Sequence, residues 1–209
     1  LNRGSAVSIW NVRISVIAVC LSIPLAYGQT NALQQAQNAE AAGDYALAVK
    51  LYTPLAESGN ADAQFNLAEL IDEGKGALED ERVALRWYRL AANQGHAAAQ
   101  STLGSFYLVG RGVDLDFGQA LKWCRMAAAV GDAQAQFNLG WMYSMGYGLT
   151  KDPVRAYVWT KLAASNNRSD RKAVYTRSLK SIEEKLTSAE LRQAQELESN
   201  CKLSQVGLC

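Results

Sequence analysis

The sequence predicts an all-α fold of stacked antiparallel helical hairpins, an α-solenoid. Three observations predict it. A 36-residue register recurs three times without a gap, over 61–96, 97–132 and 133–168. Alanine is abundant and only three prolines occur in 209 residues, a composition that favours helices. Apolar residues within each unit return at helical spacing. A unit this short cannot bury its apolar faces alone, so successive units must share one continuous core.

Composition narrows the function classes. Lys and Arg number 21 against 20 Asp and Glu, so there is no basic excess to track nucleic-acid phosphates. With 49% hydrophobic and 20% charged residues the chain is globular. His96 is the single histidine, which excludes a histidine-rich metal site, and no cofactor is expected.

The elements follow in order. Residues 1–28 contain no acid and only Arg3 and Arg13, followed by an apolar run from Ile14 to Ala26 and a small-x-small site, Ala26-Tyr27-Gly28. That pattern predicts a secretory signal and an exported, periplasmic or extracellular protein. The run falls short of the ~18–20 residues of a membrane span, and the alternative is an uncleaved anchor, the one way the chain would meet a membrane. Residues 29–60 read as an N-terminal capping hairpin, Ala32–Ala42 and Tyr45–Glu57 around Gly43-Asp44.

Residues 61–168 carry the three repeats. In the first helix of the first unit, Ala63, Leu67, Leu70 and Ile71 share one face; in the second, Ala84, Trp87, Tyr88, Ala91 and Ala92 do. The alanines let backbones approach, and Trp87, Trp123 and Trp159 fill the wider gaps. Asp80, Asp116 and Asp152 are positioned to cap the second helices, with Pro153 at a first helical position. Gly95 and Gly131, with Asn167 in the third unit, are expected as left-handed C-caps, and Asn60, His96 and Asp132 open the next first helix. The glycine pairs 74/76, 110/112 and 146/148 recur at one repeat position and do not extend to G-x-G-x-x-G, so they read as turns. Residues 169–209 form a helical cap and tail. Asp170 begins a helix through Leu186, whose charged run from Arg177 to Glu184 is a solvated face. Thr187-Ser188-Ala189-Glu190 then makes a capping box before a helix carrying Leu191, Ala194 and Leu197. Cys124 reads as a small buried hydrophobe, while Cys201 and Cys209 flank a short segment and are expected to pair after export.

The columns Ala133-Gln134-Ala135-Gln136, Leu139-Gly140, Tyr143, Gly146-Tyr147-Gly148, Asp152, Ala156, Trp159 and Ala163-Ala164 resemble the Sel-like repeat family, relatives of the tetratricopeptide repeats. The 97–132 unit matches as well. The 61–96 unit departs with Ala68 for Gly and Ile71 for Tyr, for which a locally adjusted helix crossing is expected. The resemblance implies a right-handed α-solenoid used for protein–protein recognition, with first helices lining a concave face. On that face the positions off the packing stripe are Phe65, Glu69 and Asp72, then Ser101, Ser105 and Leu108, then Phe137, Trp141 and Ser144. Of these, Phe65, Glu69, Ser101, Ser105, Phe137 and Trp141 are the candidate partner-binding residues; the alternative is that Phe65 and Phe137 pack between helices. The expected function is an exported, non-enzymatic scaffold that binds a protein or peptide. The alternatives are a periplasmic regulator of a membrane sensor or envelope enzyme, and, from another class, a hydrolase, for which no acid–base constellation is present.

Overall fold

The computed structural model describes residues 31–166 and 171–203. The signal segment, Asn167, Asp170 and the Cys201–Cys209 pairing lie outside the described residues. Within them the chain is all helix and turn: α1 (31–41), α2 (Tyr45–Glu57), α3 (Ala61–Asp72), α4 (Glu81–Asn93), α5 (Ala97–Val109), α6 (Phe117–Ala129), α7 (Ala133–Met145), α8 (Pro153–Ser165), α9 (Lys172–Glu183) and α10 (Ser188–Leu203). None of the described helices is long and apolar enough to cross a membrane.

Helices α2 to α8 each begin where a side chain satisfies an orphan backbone N–H, whereas α9 starts after Arg171 without a side-chain cap. The Asp80 carboxylate accepts from the amides of Arg82 and Val83, Asp116 from Gln119, and Asp152 from Arg155. In the alternate column Asn60, His96 and Asp132 accept from Ala63, Ala99 and Ala135, so an amide, an imidazole and a carboxylate do one job. After α4 and α6, Gly95 (φ 89°) and Gly131 (φ 88°) turn the chain through the left-handed region, as the sequence predicts.

The hairpins α3–α4, α5–α6 and α7–α8 stack in chain order, and α5 also touches α7 directly. Three buried glutamines tie each first helix to the hairpin before it. Gln64 and Gln100 donate through Nε2 to the carbonyls of Ala56 and Ala92 at 3.0 Å, and Gln136 to Ala128 at 3.5 Å. Each bond adds a second donor to a carbonyl at the end of the preceding helix that also accepts from a turn glycine: Gly59 on Ala56, Gly95 on Ala92 and Gly131 on Ala128.

Small residues set the distance within a hairpin. A Cβ added at Gly104 would sit 2.5 Å from Cys124 Sγ, and one at Gly140 would overlap Thr160 Oγ1. In the first repeat this column holds Ala68, fully buried, with Tyr88 in the register of Cys124 and Thr160. Trp123 and Trp159 are buried, whereas Trp87 is half-buried with the Arg86 guanidinium over its ring. Trp123 packs with Leu103 and Phe106 on the N-terminal side, while its neighbours Ala120 and Cys124 belong to the C-terminal cluster of Leu139, Met142 and Val158. Ala133, Ala163, Ala164 and Tyr175 form a third cluster, so the buried residues fall into three clusters bridged by half-buried Tyr107 and Leu179 and not into the single core expected from the sequence. Burial pushes the Cys124 thiol up to about 12, in keeping with a packing role.

The C-terminal cap departs in detail from expectation. α9 ends at Glu183 instead of Leu186, because residues 184–186 tighten into turn bonds such as Lys185 N–H to Ile182 and Leu186 N–H to Glu183. The capping box forms, with Thr187 N–H donating to Glu190 Oε2 at 2.8 Å and Glu190 N–H to Thr187 Oγ1 at 3.2 Å. α10 then packs on α8 through buried Ala194 and the Lys161–Glu198 ion pair at 2.6 Å.

Candidate functional site

The first helices of successive repeats line a groove of about 840 Å³. Its walls come from α3, α5 and the start of α7, and Tyr175 of α9 closes its far end. The spacing of Phe65, Glu69 and Asp72 on α3 (i, i+4, i+7) turns all three toward it. Ser101 and Ser105 occupy the equivalent columns on α5.

The N-terminal end is aromatic and charged. Phe65 stacks on the His96 imidazole at 4.6 Å and tilts against Tyr88 at 5.8 Å; Tyr88 meets the edge of Phe106 at 5.7 Å. Burial holds His96 below the ordinary histidine range, although Asp62, 3.4 Å from Nε2, pulls the other way. A neutral ring is what the cap needs, because only an unprotonated Nδ1 accepts from Ala99. The Arg111 guanidinium bridges Asp72 at 3.0 Å and Glu81 at 3.1 Å while lying 5.0 Å from the Phe106 ring centre. Glu73 pairs with Lys75 at 2.6 Å. The Glu69 carboxylate has no ion pair or hydrogen bond among the described residues. Burial, followed by the repulsion of Glu73, Glu40 and Asp72, pushes it up to about 7, with Lys75 opposing.

The serines in the middle of the groove are satisfied within the protein. Ser101 Oγ donates to the Ala98 carbonyl at 3.0 Å; Ser105 Oγ donates to Ser101 at 3.0 Å and accepts from Asn138 Nδ2 at 2.8 Å. At the far end Gln134 Oε1 accepts from Arg171 at 2.8 Å and from Tyr175 OH at 3.1 Å. Among the described residues no group of three or more His, Cys, Asp or Glu is placed to hold a metal ion.

Four of the six candidate residues, Phe65, Glu69, Ser101 and Ser105, therefore meet in one groove, joined by Asp72. Phe137 does not: α9 brings Tyr175 over it at 4.8 Å, so it packs between helices. Trp141 is also outside. It remains 39% exposed, but Tyr147 of the following turn meets it edge-on at 5.4 Å and is itself stacked on Phe117 at 4.6 Å. Leu108, expected off the packing stripe, is buried in the C-terminal cluster, and Ser144 is half-buried away from the groove. Phe65 satisfies both readings, packing on His96 and lining the groove. Tyr88 and Arg111 were missed. Tyr88 reads as a packing residue, and the signal for Arg111 was its charge at the turn column also held by Lys75 and Tyr147.

The Sel1 repeat family model matches residues 36–60, 61–96, 97–132 and 133–167, reaching into the hairpin read from sequence as a cap. Among solved structures the chain is similar to a Sel1 repeat protein from Oxalobacter formigenes, at 38% identity and a TM-score of 0.53, over 57% of this chain and 49% of that one. It is also similar to c5321, a protective antigen present in uropathogenic Escherichia coli strains that displays an SLR fold. There identity is 31% and the TM-score 0.57, over 76% of this chain and 41% of that one. The match thus spans half or less of the length of those two proteins. No curated protein matches the chain. Sel1 repeats build helical scaffolds that typically serve protein–protein interaction and are generally non-catalytic. With four matched repeats, stacked all-helical hairpins and these structural neighbours, the chain belongs to the Sel1 repeat family.

Proposed function

We propose that this protein is an exported, non-enzymatic scaffold that captures a protein or peptide segment in the groove formed by α3, α5 and α7. The observation that carries the reading is that three successive repeats line one continuous groove with side chains already fixed by their own bonds. A groove held in shape by helix caps and interhelical glutamine bonds loses little entropy when it is filled, which favours affinity from a few contacts. Export is supported by the basic, apolar and small-x-small order of residues 1–28.

Capture from envelope extract with tagged protein tests the groove. Ala98 lines it, so Ala98→Trp fills it, whereas Arg125→Trp places the same bulk on an exposed part of α6. The partner retained by the wild type and by Arg125→Trp is expected to be lost in Ala98→Trp with an unchanged circular-dichroism spectrum. Equal capture by both variants would overturn the groove assignment. Cell fractionation with mass determination of the mature protein tests export; a cytoplasmic product retaining residues 1–28 would refute it.

A further inference from the structure

We infer that the N-terminal end of the groove seats a basic side chain, Arg or Lys, of an extended peptide segment, against the Glu69 carboxylate and the half-buried Phe65 ring, with Tyr88 and Phe106 buried behind it. The inference rests on the groove being the binding surface and adds the chemistry of what enters it.

Charge complementarity decides the occupant. The lining acids are Glu69, Asp72, Glu73 and Asp132, against Arg111 and Arg171. Most of these are committed within the protein: Asp72 to Arg111, Glu73 to Lys75, and Asp132 to capping Ala135. Glu69 alone among the lining acids has no ion pair or hydrogen bond, and it lies one helical turn after Phe65. A half-buried carboxylate one helical turn from an aromatic ring is poorly solvated and is satisfied best by a cation that contacts both. The protein already builds this arrangement once, since Arg111 lies over Phe106 while two carboxylates hold it. An acidic partner group would meet like charge at this end, and an apolar one would strip Glu69 of its remaining water without replacing it.

The ionisation of Glu69 adds a second signature. Around it stand Glu40 of α1, Tyr52 of α2, Asp72 and Glu73, Lys75 in the following turn and Tyr88 of α4. With its pKa near 7, part of the population carries a proton at neutrality, and a bound cation expels it. Affinity for a basic segment therefore rises as pH increases from about 6 to 8.

Fluorescence anisotropy on the full chain at near-physiological salt tests the inference, with labelled octapeptides alternating Ala with Arg, Gln or Glu. The Arg peptide is expected to bind at least tenfold more tightly than the Gln peptide at about pH 8, and the Glu peptide not at all. Glu69→Gln should abolish that preference and its pH dependence while leaving the melting curve cooperative. Glu57→Gln, an exposed acid on α2, should leave both intact. Equal binding of the Arg and Gln peptides, or an undiminished preference in Glu69→Gln, overturns the inference. Equal binding that Ala98→Trp abolishes overturns it while leaving the groove reading standing. Failure of every peptide to bind also overturns it, and the groove itself is then judged by extract capture.

Discussion

Gly140→Ala is the sharpest probe of how the hairpins close. At the α7–α8 crossing, the added methyl would overlap Thr160 Oγ1 and lie 3.1 Å from both the Ala156 carbonyl oxygen and the Thr160 amide nitrogen. Thr160 is 1% exposed, so its side chain has nowhere open to turn. Replacing a helix-interior glycine by alanine gains about 1 kcal/mol of helix propensity. Forcing a methyl into a filled crossing costs about 1–3 kcal/mol, and two backbone contacts place this site at the upper end. The net expectation is a loss of about 2 kcal/mol, or roughly 4–8 °C in Tm for a chain of this size. Urea unfolding followed by circular dichroism measures it. Adding Thr160→Ala removes the overlapping oxygen but not the backbone contacts, so the double variant should recover about half the loss relative to additivity. A Gly140→Ala protein as stable as the wild type, or strictly additive effects, would show that this approach does not set the crossing.

Three further expectations follow from the same geometry. Removing the α5 cap with His96→Ala should cost about 1 kcal/mol, while His96→Asn, matching Asn60 in that column, should cost little. Because burial lowers the folded-state pKa of His96, its contribution is complete above the ordinary value near 6.5 and fades as pH falls through the lowered one; urea titrations should show the wild type losing more stability than His96→Asn between about pH 7 and 5. Gly76→Ala should destabilise far more than Gly95→Ala in thermal melts. Both glycines have positive φ, but a Cβ at 76 would run into the Tyr45 carbonyl, whereas one at 95 meets open space. Gln100→Ala removes one of the bonds to the Ala92 carbonyl, which keeps that from the Gly95 amide, and should cost about 0.5–1.5 kcal/mol by urea denaturation, with the m-value unchanged.

What the sequence disclosed, it disclosed through local chemistry. The helix starts at Asp80, Asp116 and Asp152 and the turns at Gly95 and Gly131 depend on residues within a few positions of one another, so a repeating register exposes them directly. The groove columns on α3 and α5 were legible because the family resemblance places first helices on the concave face and helical periodicity then picks out the positions on them. The third repeat broke the rule because its surroundings differ. Nothing in the column of Phe65, Ser101 and Phe137 announces that α9 folds Tyr175 over the last of them. Nor does the column of Glu69, Ser105 and Trp141 show that Tyr147 takes the indole. Arg111 escaped because its partners, Asp72 and Glu81, lie 39 and 30 residues earlier, and the solitude of Glu69 emerges only once its neighbours have paired with others.

The glutamine ties have a mechanical corollary. Gln64, Gln100 and Gln136 each fasten a module only to the one before it, so no bond of this type skips a neighbour. Stretched between its ends, such a rod yields stepwise, each rupture paying out one period of chain, roughly 120 Å of contour length. Force–extension traces of the molecule are expected to be evenly toothed, with refolding one tooth at a time as tension drops.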